Sequence, residues 1–166
     1  MRVLTSKTPS KRQRLLAEIP WFVKAVAGTE GVSRISLLGS ITTEKLEPKD
    51  IDFLVVVDDD ADLEPLAKVC RKLKGHAQSA ASGADIFLVD PKGEYIGRIC
   101  HWSECGWGRK KCEALNCGER MYLSDDFKVF RLRPEAMAQA IELWPRLEMK
   151  KNLPPDLQDV LRSLGK

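Results

Sequence analysis

Ser33-Arg34-Ile35-Ser36-Leu37-Leu38-Gly39-Ser40, followed after nine residues by Asp50-Ile51-Asp52-Phe53-Leu54-Val55-Val56-Val57, is the stretch on which the reading of this chain turns. Residues 33–38 have the pattern of a short strand. Residues 51–57 are β-branched and apolar almost without interruption, as in a strand buried on both faces. Residues two apart on a strand share a face, so Asp50 and Asp52 aim at one spot. Paired carboxylates repel and raise each other's pKa, and a divalent cation removes that penalty. Mg²⁺ is held in this way, by one or two carboxylates together with substrate phosphates. Gly39-Ser40 stands where the first strand ends. Glycine lets the backbone approach a phosphate closely, and neighbouring N–H groups and a serine hydroxyl can bind its oxygens.

Working outward, Asp85 opens a further apolar strand, Asp85-Ile86-Phe87-Leu88-Val89. Paired beside the first, it completes a carboxylate triad of the kind that can hold two metals. Asp90-Pro91-Lys92-Gly93 is a turn signal, with Asp90 bonding locally, and residues 94–100 read as the returning strand of a hairpin. Leu15, Leu16, Ile19, Val23 and Val26 predict a helix over 10–27, kinked or divided by Pro20. Leu63, Leu66, Val69, Cys70 and Leu73 predict another, led by Asp58-Asp59-Asp60 as strand exit and cap, and stopped by Gly75. His76 beside that glycine reads as a surface residue. Residues 41–49 form a short helix or loop, and alternation over 122–132 suggests a half-exposed strand. Pro134 opens a helix with Met137, Ile141 and Trp144 on its apolar face, stopped by Pro145. Pro155 opens a last one, striped by Leu157, Val160, Leu161 and Leu164. The expected fold is α/β (α+β), a central mixed β-sheet flanked by helices. One domain spans 1–166, with a cysteine-rich insert at 100–118 and a C-terminal helical segment at 134–166.

Leu38-Gly39-Ser40, nine residues, then Asp50-Ile51-Asp52-Phe53 resembles the signature of the DNA polymerase β-like nucleotidyltransferase superfamily, closest to its minimal stand-alone bacterial members. The resemblance covers about residues 33–90. It implies that Gly39 and Ser40 hold a nucleoside triphosphate, that Asp50 and Asp52 bind Mg²⁺ or Mn²⁺, and that Asp85 is the third carboxylate, helping to deprotonate the acceptor hydroxyl. Minimal members often carry an arginine soon after the serine. Here the stretch is Ile41-Thr42-Thr43-Glu44-Lys45-Leu46, with Lys45 or Lys49 as the substitute cation. The implied activity is transfer of a nucleoside monophosphate to an acceptor hydroxyl on a small molecule, a protein or an RNA. The competing reading is a non-catalytic module of the same fold that acts through its cysteine-rich insert on nucleic acid or on a helical protein partner, as in toxin–antitoxin pairs.

Cys100, Cys105, Cys112 and Cys117 crowd the insert with spacing C-x4-C-x6-C-x4-C, and His101 could replace one of them. Three readings stand open: a structural Zn²⁺ site, reduced thiols beside packed Trp102 and Trp107, and a redox-sensitive pair. Arg109-Lys110-Lys111 and the two tryptophans also suit contact with a substrate, since cations and rings neutralise and stack nucleotides. With 43% apolar and 31% charged residues in 166 and a net charge of +3, the chain has the composition of an ordinary globular protein. No apolar run reaches bilayer length and no secretory leader opens the chain, so the expectation is a cytoplasmic protein without membrane contact. The zinc reading predicts stoichiometric zinc in protein purified under reducing conditions. Elemental analysis that finds none removes it.

Overall fold

The apolar run that opens at Asp50 forms strand β2, Asp50–Val57, and its alternation sets the architecture. The computed structural model describes residues 7–102, 105, 117, 120–125 and 130–165. Ile51, Phe53, Val55 and Val57 are fully buried on one face of β2. Asp50, Asp52, Leu54 and Val56 therefore turn to the other. β1, Val32–Leu38, lies antiparallel on one side of β2, and β3, Gly83–Val89, parallel on the other. β4, Tyr95–Ile99, and β5, Leu123–Ser124, extend the sheet past β3, while β6, Ile141–Trp144, closes the outer side of β1. The strand order is β5-β4-β3-β2-β1-β6, a mixed sheet flanked by helices as expected.

Among the described residues, four helices share one face of the sheet. They are α1, Lys11–Leu16; α2, Glu18–Val26; α3, Glu64–Ser79; and α5, Pro155–Leu164. Ser10 and Gln13 form a reciprocal capping box at α1, each side chain accepting the other's backbone N–H, at 3.1 and 2.8 Å. The expected helix over 10–27 is divided at Ala17, and Pro20 falls in the first turn of α2, where its missing N–H costs nothing. Phe22 of α2 stacks on Phe53 with ring centroids 3.8 Å apart. A smaller cluster covers part of the second face, where Leu38, Leu54, Phe87, Val89 and Tyr95 meet Leu132, Met137 and Ala140.

Several sequence expectations are corrected. Gly75 does not stop α3, because Leu73 and Ala77 lie one turn apart on its buried side and Gly75 faces outward. Asp58-Asp59-Asp60 does not cap that helix. The N-cap is Leu63, and Asp62 supplies a carboxylate oxygen to the Glu64 N–H at 3.0 Å. The helix expected from Pro134 to Trp144 ends early, as α4, Pro134–Ala138. Ile141 and Leu143 are buried in alternation instead, because β1 offers a row of backbone groups that only a strand can pair. The segment 134–166 is therefore not wholly helical. Of the strand expected over 122–132, the described residues show β5 at Leu123–Ser124 and none at 130–132. Residues 126–129 lie outside the described part of the chain, and Leu132 packs on the second face of the sheet. Residues 40–42 make one 3-10 turn, and Asp90 bonds locally as expected, accepting the N–H of Lys92 and of Glu94. His76 lies on the surface, 2.8 Å from a Glu18 oxygen. Among the described residues no helix is long and apolar enough to cross a membrane.

An ion pair joins α1 to α5. Arg12, 5% exposed, donates to both carboxylate oxygens of Asp156 at 2.7 and 3.0 Å, and its remaining nitrogen donates to the Lys45 carbonyl at 3.0 Å. Hydrogen bonds from Arg12 hold the Asp156 carboxyl below its usual 3.8. Its contribution to stability is therefore complete above that value and lost as pH falls through the depressed one. Asp156→Asn should lower unfolding free energy near neutrality by about 1–2 kcal/mol, less than a fully buried pair because Asp156 is half exposed. Urea midpoints of variant and wild type should converge in acid, once Asp156 itself is protonated.

Candidate active site

The parity of β2 places both of its carboxylates on the sheet face away from the four helices. The register then adds the rest. Asp52 is opposite Leu38 of β1 and opposite Asp85 of β3. Gly39, Ser40, Asp50, Asp52 and Asp85 all line one cavity of about 530 Å³. The residues singled out in sequence for phosphate and metal chemistry thus converge.

Two glycines make that convergence sterically possible. Gly39 has φ +86°, and a Cβ there would sit 2.8 Å from a carboxylate oxygen of Asp52. Gly83 pairs with Asp50 across β2 and β3, and a Cβ would run into the Asp50 carboxylate. After Gly39 the chain turns tightly. The Thr42 and Thr43 hydroxyls donate back to the carbonyls of Gly39 and Ser40, each at 2.7 Å. The Ser40 hydroxyl bonds to none of the described residues and opens on the cavity. Lys45 and Lys49 are exposed and do not line it. Their backbone carbonyls are taken by Arg12 and by the Gly83 N–H.

The carboxylates are electrostatically unequal. Burial, then the charges of Asp85 and Asp50, push the Asp52 carboxyl up to about 7, against weaker opposition from Lys74 and the Asp85 backbone amide. Asp85 has cations beside it, Lys74 Nζ at 3.6 Å and Arg98 Nη1 at 3.9 Å from the same oxygen. Arg98 is the one cation among the described residues lining the cavity, and its guanidinium carbon lies 5.0 Å from the centre of the Phe130 ring. Sequence reasoning missed Gly83, Lys74, Arg98 and the wall made by Phe87, Phe130 and Leu132. The expected hairpin of β3 and β4 held a signal for Arg98. It pairs with Phe87, two residues from Asp85 and on the same face. Lys74 gave none, since its reach to Asp85 depends on how α3 crosses the sheet.

Among the described residues, no three His, Cys, Asp or Glu side chains stand together as a ready-made metal site. Asp50 and Asp52 still suit Mg²⁺, which needs few protein carboxylates when phosphates supply further oxygens. The repulsion that raises Asp52 is what a divalent cation relieves. Of the cysteines, Cys100 and Cys105 are buried, Cys117 is exposed, and Cys112 lies outside the described residues. The Cys105 sulfur accepts the Tyr122 N–H at 3.2 Å, so this thiol packs under the sheet's end. Trp102 is stacked on His101, while Trp107 and Arg109-Lys110-Lys111 also lie outside the described residues.

A family model described as "Family of unknown function (DUF6932)" matches residues 2–131. The chain belongs to that family. No curated protein and no solved structure matches it. The match spans all three carboxylates, Gly39, Ser40, Arg98 and Phe130, whereas Leu132, Ala136 and Gln139 on the cavity wall lie beyond it.

Folded Asp52 keeps its proton to about pH 7, while the unfolded chain releases it near 3.8. The folded state therefore binds more protons across that window, and this group's contribution to stability falls as pH rises through it. In metal-free buffer above about pH 8, Asp52→Asn should be the more stable protein, by on the order of 3 kcal/mol. The two should converge below about pH 4. Urea unfolding at both ends of the range checks the crossover, and a variant no more stable at high pH would contradict it.

Proposed function

We propose that the cavity is the active centre of a nucleotidyltransferase. It would move a nucleoside monophosphate from a nucleoside triphosphate to an acceptor hydroxyl. What supports this is the convergence of Gly39-Ser40 with Asp50, Asp52 and Asp85 on one cavity, with glycine where a Cβ would strike a carboxylate. The Ser40 hydroxyl and the backbone of the tight turn receive the phosphate oxygens. Asp50 and Asp52 would hold Mg²⁺ or Mn²⁺, with Asp85 beside them, and when bound that cation would supply positive charge to the phosphates. Asp85 accepts the proton of the acceptor hydroxyl, whose oxygen bonds to the α-phosphorus. The bond from that phosphorus to the β-bridging oxygen breaks, and pyrophosphate carries the electron pair away. Positioning and charge supply most of the acceleration in such transfers. Nucleoside triphosphates and Mg²⁺ abound in the cytoplasm, where this reading places the protein.

A second reading has its own support. Lys74 and Arg98 both engage Asp85, and a third carboxylate held by cations suits a module that binds nucleotide, nucleic acid or a helical protein partner without transferring anything.

Incubation with α-labelled ATP, CTP, GTP or UTP and Mg²⁺ separates the two. Transfer of label to protein, RNA or small-molecule acceptors, with pyrophosphate release, is the expected result. Asp50→Ala with Asp52→Ala should reduce it at least about 100-fold. Undiminished transfer by that variant would defeat the catalytic assignment, and binding without transfer would favour the module.

A further inference from the structure

The cavity lining is of two chemical kinds. Carboxylates, hydroxyls and Gly39 make one. Leu38, Phe87, Phe130, Leu132 and Ala136 make the other, and Gln139 also lines the cavity. A polyphosphate engages only the polar groups, and a ligand that also engages the apolar ones must carry an apolar group beside its phosphates. We propose that the apolar lining is a nucleobase seat, in which Phe130 is the stacking ring and the Gln139 side-chain amide reads the edge of the base. The proposal rests on the nucleotidyltransferase reading for the polar lining, and adds what distinguishes a nucleotide from a bare polyphosphate.

Phe130 is held by Phe87, Tyr95 and Arg98 and stays partly exposed. Its ring lies 5.6 Å from that of Phe87 at an interplanar angle of 27°, with the Arg98 guanidinium 5.0 Å from its centroid. Phe87 and Arg98 are themselves cross-strand partners on β3 and β4, so the ring rests on the sheet through both. Phe87 and Leu132 are nearly inaccessible, yet Phe130 is 39% exposed. A large ring held by its neighbours yet 39% exposed can serve as a stacking platform, and base–aromatic stacking tolerates any base. Arg98 adds its charge at the junction between ring and carboxylates, where the ribose and phosphates of a nucleotide begin.

Gln139 supplies the polar element that stacking lacks. Its backbone is already committed, the N–H to the Glu135 carbonyl and the carbonyl to Lys150 Nζ at 3.3 Å. Its exposed side-chain amide bonds to none of the described residues, which leaves both a donor and an acceptor for the edge of a base. A cavity of about 530 Å³ is within the range usual for small-ligand sites.

Calorimetric titration of the full chain in Mg²⁺ with each of the four common nucleoside triphosphates, and with inorganic tripolyphosphate, tests the seat. At least one nucleotide should bind about 10-fold or more tighter than tripolyphosphate. Phe130→Ala should erase that advantage while leaving tripolyphosphate affinity unchanged, Phe130→Tyr should keep it, and Gln139→Ala should alter the ranking of the bases. Equal binding of nucleotides and tripolyphosphate by the wild type overturns the proposal. So does a Phe130→Ala variant that weakens both ligands alike or neither. Tight nucleotide binding that depends on Phe130, with no binding of tripolyphosphate, would keep the seat and defeat the phosphate reading instead.

Discussion

The parity of β2 is the constraint on which the rest depends. Ile51, Phe53, Val55 and Val57 have no contact with solvent, and Phe22 is stacked on Phe53. A slip of one residue would turn these side chains to the open face and drive Asp50 and Asp52 into a hydrocarbon core. Burying the four apolar residues therefore fixes where the two carboxylates point. β1 and β3 take their registers from β2, and those registers carry Gly39 and Asp85 to the same cavity.

The order of elements through β4 was legible because each carries a strong local signal. Continuous β-branched runs mark β2 and β3, a Pro-Gly turn marks the hairpin, and a helical stripe marks α3. The carboxylates and Gly39-Ser40 were legible for the same reason: type and spacing lie close together in sequence. The errors share a different cause. Ile141 and Trp144 fit a helical period as well as a short strand, and only the unfilled side of β1 decides between them. Gly75 reads as a stop, but burial of Ala77 carries α3 past it. The cations beside Asp85 come from α3 and β4, and Phe130 and Leu132 of the apolar wall from a segment after β5, so they meet the site only through tertiary packing.

The site is built from opposed charges that have not cancelled. Asp52 is raised by burial and by its neighbours, while Asp85 is steadied by Lys74 and Arg98. A cluster wholly neutralised by side chains would attract no cation, and one with no neutralisation would destabilise the sheet. The glycines at 39 and 83 keep the carboxylates close to backbone, where a bulkier residue would force them apart.

The Arg12–Asp156 bridge joins residues 144 apart in the chain, and the same guanidinium holds the Lys45 carbonyl in the loop after Gly39-Ser40. During synthesis the loop emerges well before Asp156, the carboxylate that orients Arg12. The turn thus acquires its finished tether only when α5 docks. A chain that has not yet presented α5 can form the strands bearing Asp50, Asp52 and Asp85, yet its loop lacks this anchor.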